Sequence, residues 1–171
     1  RGKEVRERTQ DTWGLWRQGK LDPESNVQFG EGGAGTFSDG KLHSQIKDPG
    51  FRGRKVLEEF VAADAPPEIL YVSKPHIGTF RLVRVVENLR ATIERLGGAI
   101  RFQSRVADLA IERDATGTGQ VRGVVLASGE RIAADHVVLA IGHSARDTFR
   151  LLHERGVHLE AKPFSIGVRA E

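Results

Sequence analysis

Apolar residues recur at spacings of three and four in two stretches of the chain. Between Arg52 and Ala63 they are Val56, Leu57, Phe60 and Val61, which predicts a helix with one buried stripe. Ala65-Pro66-Pro67 ends it, and Glu68 to Tyr71 is a short apolar connector. From about Thr79 to Leu96 the positions are Leu82, Val85, Val86, Leu89, Ile93 and Leu96, the apolar face of a longer helix. Thr79 suits its N-cap, and Gly97-Gly98 closes it. The period then changes to two. Ala99 to Gln103 reads as a strand with Ile100 and Phe102 on one face. Val106 to Arg113, Gln120 to Ala127 and Arg131 to Ala133 follow, separated by turns at residues 116–119 and 128–130. They predict a three-stranded antiparallel meander, with Leu109 and Ile111 pointing inward.

The later stretches have different patterns. His136-Val-Val-Leu-Ala-Ile-Gly142 is continuously apolar and ends in glycine, as a parallel strand buried on both faces requires. Asp147 to Arg155 predicts a helix packed through Phe149, Leu151 and Leu152 and capped by Gly156. Val157 to Leu159 and Phe164 to Ala170 read as further strands, with Arg169 and Glu171 as an ion pair. At the other end, Arg1 to Lys20 carries only Trp13, Leu15 and Trp16 as large apolar groups. It reads as a short connection into a partly buried aromatic cluster. Asp22-Pro23 and Asp48-Pro49-Gly50 are turn signals.

Composition narrows the class. A chain of 171 residues fits one domain, or one with an excursion. Lys and Arg number 26 against 23 Asp and Glu, and the net charge of +3 is spread along the sequence, too mild to argue for nucleic acid. No apolar run approaches the ~18 residues a membrane-spanning helix needs. There is no cysteine, which removes disulfides, thiolate metal sites and thiol redox centres from these residues and agrees with a cytoplasmic location. The six histidines show no tight ligand spacing with carboxylates, and Gly-x-Ser-x-Gly is absent.

The candidate chemistry is concentrated in Val27-Gln-Phe-Gly-Glu-Gly-Gly-Ala-Gly-Thr-Phe-Ser-Asp-Gly-Lys-Leu-His43, with glycine at 30, 32, 33, 35 and 40. Glycine lets backbone N–H groups approach a ligand closely, and a run of such groups forms an anion nest. The stretch therefore reads as a loop that wraps a phosphate or cofactor chain. The alternative is a flexible surface loop, against which Phe29, Phe37 and Leu42 argue. Ser73-Lys-Pro-His-Ile-Gly-Thr79 is a second loop of interest.

Four segments carry a resemblance: Gly30 to Leu42, Lys74-Pro-His-Ile-Gly-Thr79, Ala140-Ile-Gly-His-Ser144 and Lys162-Pro-Phe-Ser-Ile-Gly-Val-Arg169. With the order helix, Gly-Gly, strand, meander, apolar strand, Gly, the chain resembles the bacterial FAD-dependent dehydrogenases labelled NAD(FAD)-utilizing dehydrogenases. The resemblance covers nearly the whole chain. It implies an α/β fold, mixed α+β over these residues: a partial Rossmann-like FAD-binding sheet with a three-stranded antiparallel crossover flap. It also implies an internal fragment, because such flavoproteins open with strand, Gly-x-Gly-x-x-Gly, helix, strand and an acid for the ribose. The implied layout is an FAD-binding segment over 1–48, helices over 49–98, FAD-domain strands over 99–144, and the start of a further segment over 145–171. Phe80 stands where the family tends to place an acid.

By the same resemblance, Gly32, Gly33, Ala34, Gly35 and Thr36 lie along the pyrophosphate and ribityl chain, with hydroxyl bonds from Thr36 and Ser38. Asp39 binds a ribityl hydroxyl or caps the turn before Gly40. Val106 pairs through its backbone with the adenine edge, or is an ordinary core valine. Ala140, Ile141, Gly142 and His143 close over the cofactor. Lys41 and His43 face the flavin, and His76 and His143 are candidate proton-transfer groups; each is alternatively a surface or structural residue. The implied activity is FAD-dependent oxidation or reduction of a small-molecule substrate, with hydride drawn from the substrate or from NAD(P)H. Two rivals stand beside it. One is a flavoprotein acting on RNA through Arg81, Arg84, Arg90 and Arg95, which on a helix also suit a solvated face. The other is a non-enzymatic domain that holds a different phosphate ligand.

Overall fold

Among the residues described by the computed structural model, three of four α-helices occupy the predicted places, and the first was not predicted. The structure describes residues 1–44, 47–163 and 167. The predicted strand at Phe164 to Ala170 and the Arg169–Glu171 pair lie outside them. The chain divides into two units, Arg1–Arg105 and Val106–Glu171.

The first unit opens with helix α1 (Val5–Gln18), where a short connection was expected. Its buried positions are Val5, Arg8 and Thr12, a helical spacing of three and four in which two of the three residues are polar. The stripe is therefore invisible to a hydrophobic pattern. Trp13 and Trp16 meet edge to face with centroids 6.0 Å apart. They are 48% and 60% exposed, a surface pair rather than the partly buried cluster expected. The glycine-rich stretch follows, with one 3₁₀ turn over Ala34–Phe37.

Helix α2 (Arg52–Ala62) and helix α3 (Thr79–Arg95) match their periodicities. The 3₁₀ turn Pro67–Leu70 lies between them. The core gathers Ala63, Ala65, Ile69, Ile77 and Val85, with Leu42, Leu57, Phe60, Val61, Leu82 and Leu89 packed around it. The start of the first predicted stripe and the end of the second fall outside this core, since Val56 is 50%, Ile93 45% and Leu96 75% exposed. The N-cap of α3 is Gly78. Thr79 lies one residue inside and donates its hydroxyl to Ser38 O at 3.0 Å. Residues 99–103 form no strand. Gln103 N–H donates to Gly2 O at 2.7 Å, but these residues join no strand ladder.

In the second unit, strands β1 (Val106–Arg113), β2 (Gly119–Leu126) and β3 (Arg131–Ala133) form the predicted antiparallel meander, ordered β1-β2-β3. A register shift between Ala110 and Ile111 breaks strict alternation. Leu109 and Ala110 are both buried, whereas Ile111 is half-buried. Helix α4 (Arg146–Glu154) buries Leu152. Residues 136–142 and 157–159 are not strands, contrary to expectation. A parallel strand exists only beside a neighbour that takes its hydrogen bonds, and among the described residues none does so for 136–142. Val138 is accordingly 88% exposed. The described fold is mixed α and β, and its sheet is the antiparallel one.

Candidate functional site

The two loops singled out in the sequence are joined to each other. Lys41 and His76 form an antiparallel bridge. Leu42 N–H donates to Pro75 O at 2.8 Å, Ile77 N–H to Gly40 O at 3.2 Å, and Gly78 N–H to Asp39 O at 3.0 Å. These bonds flank the Lys41–His76 pair, so it is a non-hydrogen-bonded pair, the type whose side chains approach most closely. Leu42 and Ile77, one position along on each side, pack on the core. By strand alternation Lys41 and His76 then share the opposite, exposed face. His43 is also exposed.

The glycine-rich loop has an inner side and an outer side. Inside sits Arg8 of α1, fully buried. Its Nε donates to Asn26 O at 2.7 Å, Nη2 to Val27 O at 2.7 Å and Nη1 to Glu31 O at 2.6 Å. The guanidinium stacks over the Phe37 ring at 4.7 Å. Burial pulls the Arg8 pKa down to about 10, opposed by the charge of Glu31. The Glu31 carboxylate itself turns to the start of α1, where it accepts Val5 N–H at 2.8 Å. It also accepts Arg90 Nη1 from α3 at 3.3 Å. Loop, α1 and α3 are thus fastened together at Arg8 and Glu31.

On the outer side, the N–H groups of Gly32, Ala34 and Gly35 have no acceptor among the described residues. Gly32, Ala34 and Gly35 are exposed. A Cβ built on Gly33 or Gly35 would meet nothing within 4 Å. Open space beside unpaired amides is the arrangement that suits a phosphate, so these residues fit the diphosphate of a dinucleotide. Thr36 does not open to this side. It is 2% exposed and turns its hydroxyl to Arg8 Nη1 at 3.5 Å. The Ser38 hydroxyl donates to Gly35 O at 2.7 Å and accepts Gly40 N–H at 3.0 Å. Ser38, not Asp39, therefore caps the turn before Gly40. Asp39 is exposed and its carboxylate has no hydrogen-bond partner among the described residues.

The remaining candidates belong to the second unit. Val106 opens β1 opposite Leu126. Ala140, Gly142 and His143 are exposed and Ile141 half-buried, and His143 Nε2 lies 3.3 Å from Ser144 Oγ. Of the four arginines proposed as a basic stripe, Arg84 pairs with Asp64 at 3.0 Å and Arg90 with Glu4 at 2.7 Å. No metal-binding cluster of His, Cys, Asp or Glu occurs among the described residues. No described helix is long and apolar enough to cross a membrane.

Sequence reasoning singled out the glycine-rich loop and assigned no role to Arg8 or Glu31. Glu31 carried one signal, a lone acid within a run of small residues. Arg8 carried none.

An uncharacterized protein of Clostridium beijerinckii is 47% identical over 171 residues, which is all of this chain and 31% of that protein. The chain therefore spans just under a third of the length of that relative. The FAD dependent oxidoreductase family matches residues 34–169, from the 3₁₀ turn of the glycine-rich loop onward. On that match, the chain belongs to the FAD-dependent oxidoreductase family.

Proposed function

We propose that this chain supplies part of the cofactor cradle of an FAD-dependent dehydrogenase of the NAD(FAD)-utilizing kind. The observation that carries it is the set of unpaired amides at Gly32, Ala34 and Gly35, with open space at Gly33. Backbone N–H groups aimed at one place neutralise a diphosphate without a competing side chain. When bound, the flavin supplies the redox chemistry, accepting a hydride from the substrate or from NAD(P)H. The protein's part is to bind, orient and set the local charge. Lys41 and His76, side by side on one exposed face, place a cation and an imidazole together. The pair would hold an anionic group or carry a proton. In this reading Val106 and residues 140–143 complete a partial Rossmann-like FAD-binding domain, with the β1–β3 meander as its crossover flap. The protein acts in the cytoplasm on a small-molecule substrate.

The test is an absorbance spectrum of the full-length protein purified without added cofactor, beside Gly35→Val. That substitution enters open space, so the fold tolerates it while the diphosphate is displaced. Flavin bands near ~370 and ~450 nm in the parent, lost in Gly35→Val with the thermal transition unchanged, are the expected result. A colourless parent that cannot be reconstituted with FAD would point to another phosphate ligand.

A further inference from the structure

We propose that Arg8 is a positioning residue for the glycine-rich loop: it draws the carbonyl oxygens of Asn26, Val27 and Glu31 to the inner side and so turns the Gly32 amide outward for a dinucleotide diphosphate. The ligand in this statement rests on the function proposed above; the tether does not.

A buried guanidinium normally meets a carboxylate. Here Glu31, the acid whose charge acts on Arg8, gives Arg8 its backbone oxygen and sends its carboxylate to Val5 N–H and Arg90. Arg8 is instead met by three main-chain carbonyls, at residues 26, 27 and 31, each 2.7 Å or closer. These are charge-assisted bonds, stronger than neutral ones, and they set the orientation of three peptide planes. In a trans peptide the carbonyl and the following N–H point in opposite directions. With Glu31 O drawn inward to Arg8, Gly32 N–H is therefore directed outward. Contact is close enough to demand glycine at one point, since a Cβ on Gly30 would lie 2.4 Å from Arg8 Cδ. Thr36 completes the inner side with its hydroxyl, and Phe37 covers the guanidinium face. Each planar N–H group of arginine has its own direction, which is what three separate carbonyls need. The single ammonium of lysine, on a shorter stem, lacks that fork.

The experiment uses the full-length protein as wild type, Arg8→Lys, Arg8→Ala and the core variant Val85→Ala as a stability control. Two readouts are taken: amide hydrogen exchange over residues 27–37 without cofactor, and FAD affinity by quenching of flavin fluorescence. In Arg8→Lys, loop exchange is expected to rise and FAD affinity to fall, each by about ten-fold or more, as loss of charge-assisted bonds implies. Added guanidinium ion is expected to restore part of both in Arg8→Ala. Val85→Ala should lower the Tm while changing both readouts by less than about two-fold. Loop exchange unchanged in Arg8→Lys, or matched by Val85→Ala at equal Tm, overturns the assignment. A loosened loop in Arg8→Lys with FAD affinity intact also overturns it, since the tether would then serve only the fold. A wild type that takes up no FAD sinks the proposed function and removes the ligand from the statement. The exchange comparison then still decides the tether.

Discussion

At the scale of single residues, two glycines are expected to respond to the same substitution with opposite signs. Gly32 has φ +81°, and a Cβ there would lie 2.1 Å from Thr36 Oγ1. Thr36 cannot give way easily, because it is buried against Arg8. Gly32→Ala combines left-handed backbone strain with overpacking, so a loss of about 2–4 kcal/mol is expected. Gly14 lies in the middle of α1, and a Cβ there meets nothing within 4 Å. Gly14→Ala should stabilise by about 0.5–1 kcal/mol. Urea unfolding followed by tryptophan fluorescence measures both, since Trp13 and Trp16 lie in the same helix. A gain in stability from Gly32→Ala would show that Thr36 does not hold the loop closed against a side chain at 32. The glycine run itself was legible because glycine constrains what a loop can do. Its filling was not legible, because an arginine 22 residues before Gly30 has no local reason to enter a loop. The burial of Arg8 depends on carbonyls that converge only after folding.

At the scale of elements, legibility followed apolar content. Helices α2, α3 and α4 were found because Val, Leu, Ile and Phe recur at helical spacing. The meander was found because alternating residues are bounded by Gly-containing turns. Helix α1 was missed because its buried face is Val5, Arg8 and Thr12, and because its first orphan N–H is satisfied by Glu31 from 26 residues away rather than by a local cap. The reverse error occurred at 136–142, where an apolar run was taken for a strand. Composition shows that a segment can be buried on both faces, but not which neighbours will cover it. A contrast between two residues tests the packing of the first unit. Ile69 is 2% exposed in the core, whereas Val56 on α2 is 50% exposed. Ile69→Ala should cost about 2–5 kcal/mol through lost burial and a cavity. Val56→Ala should stay within about 0.5 kcal/mol of wild type. Chemical denaturation of each variant separates the cases, and a large loss at Val56 would mean that the stripe is covered in the full-length protein.

At the scale of the whole molecule, the chain holds two units, each with buried residues of its own, and the second carries a distinct acid-sensitive contact. In the second unit Arg155, the C-cap of α4, grips Asp108 of β1 with a two-pronged contact: Nε donates to Oδ1 at 2.7 Å and Nη2 to Oδ2. Leu109 N–H also donates to Oδ1, at 2.8 Å. The Arg155 bond holds the Asp108 carboxyl below its ordinary range, helped by the Leu109 N–H and opposed by burial. Arg155 is in turn raised, chiefly by Asp108, with Glu154 adding a smaller push. The sign follows from linkage. A carboxyl depressed in the folded state adds stability that is fully present above its unfolded pKa, about 3.9, and is lost as pH falls through the lower folded value. A raised arginine adds stability present below its unfolded value, so it contributes nothing to the acid limb. The second unit of wild type should therefore lose stability as pH is lowered from about 5 to below 3. Asp108→Asn should be less stable at neutral pH and have a flatter acid limb. Tryptophan and tyrosine occur only at Trp13, Trp16 and Tyr71, so fluorescence reports the first unit alone. Amide hydrogen exchange along β1 as a function of pH provides the readout. High salt should flatten the limb in wild type as well, because the pair is partly exposed and screened. An acid limb of equal steepness in Asp108→Asn would assign the transition to other carboxylates and remove Arg155 as the clasp between α4 and the sheet.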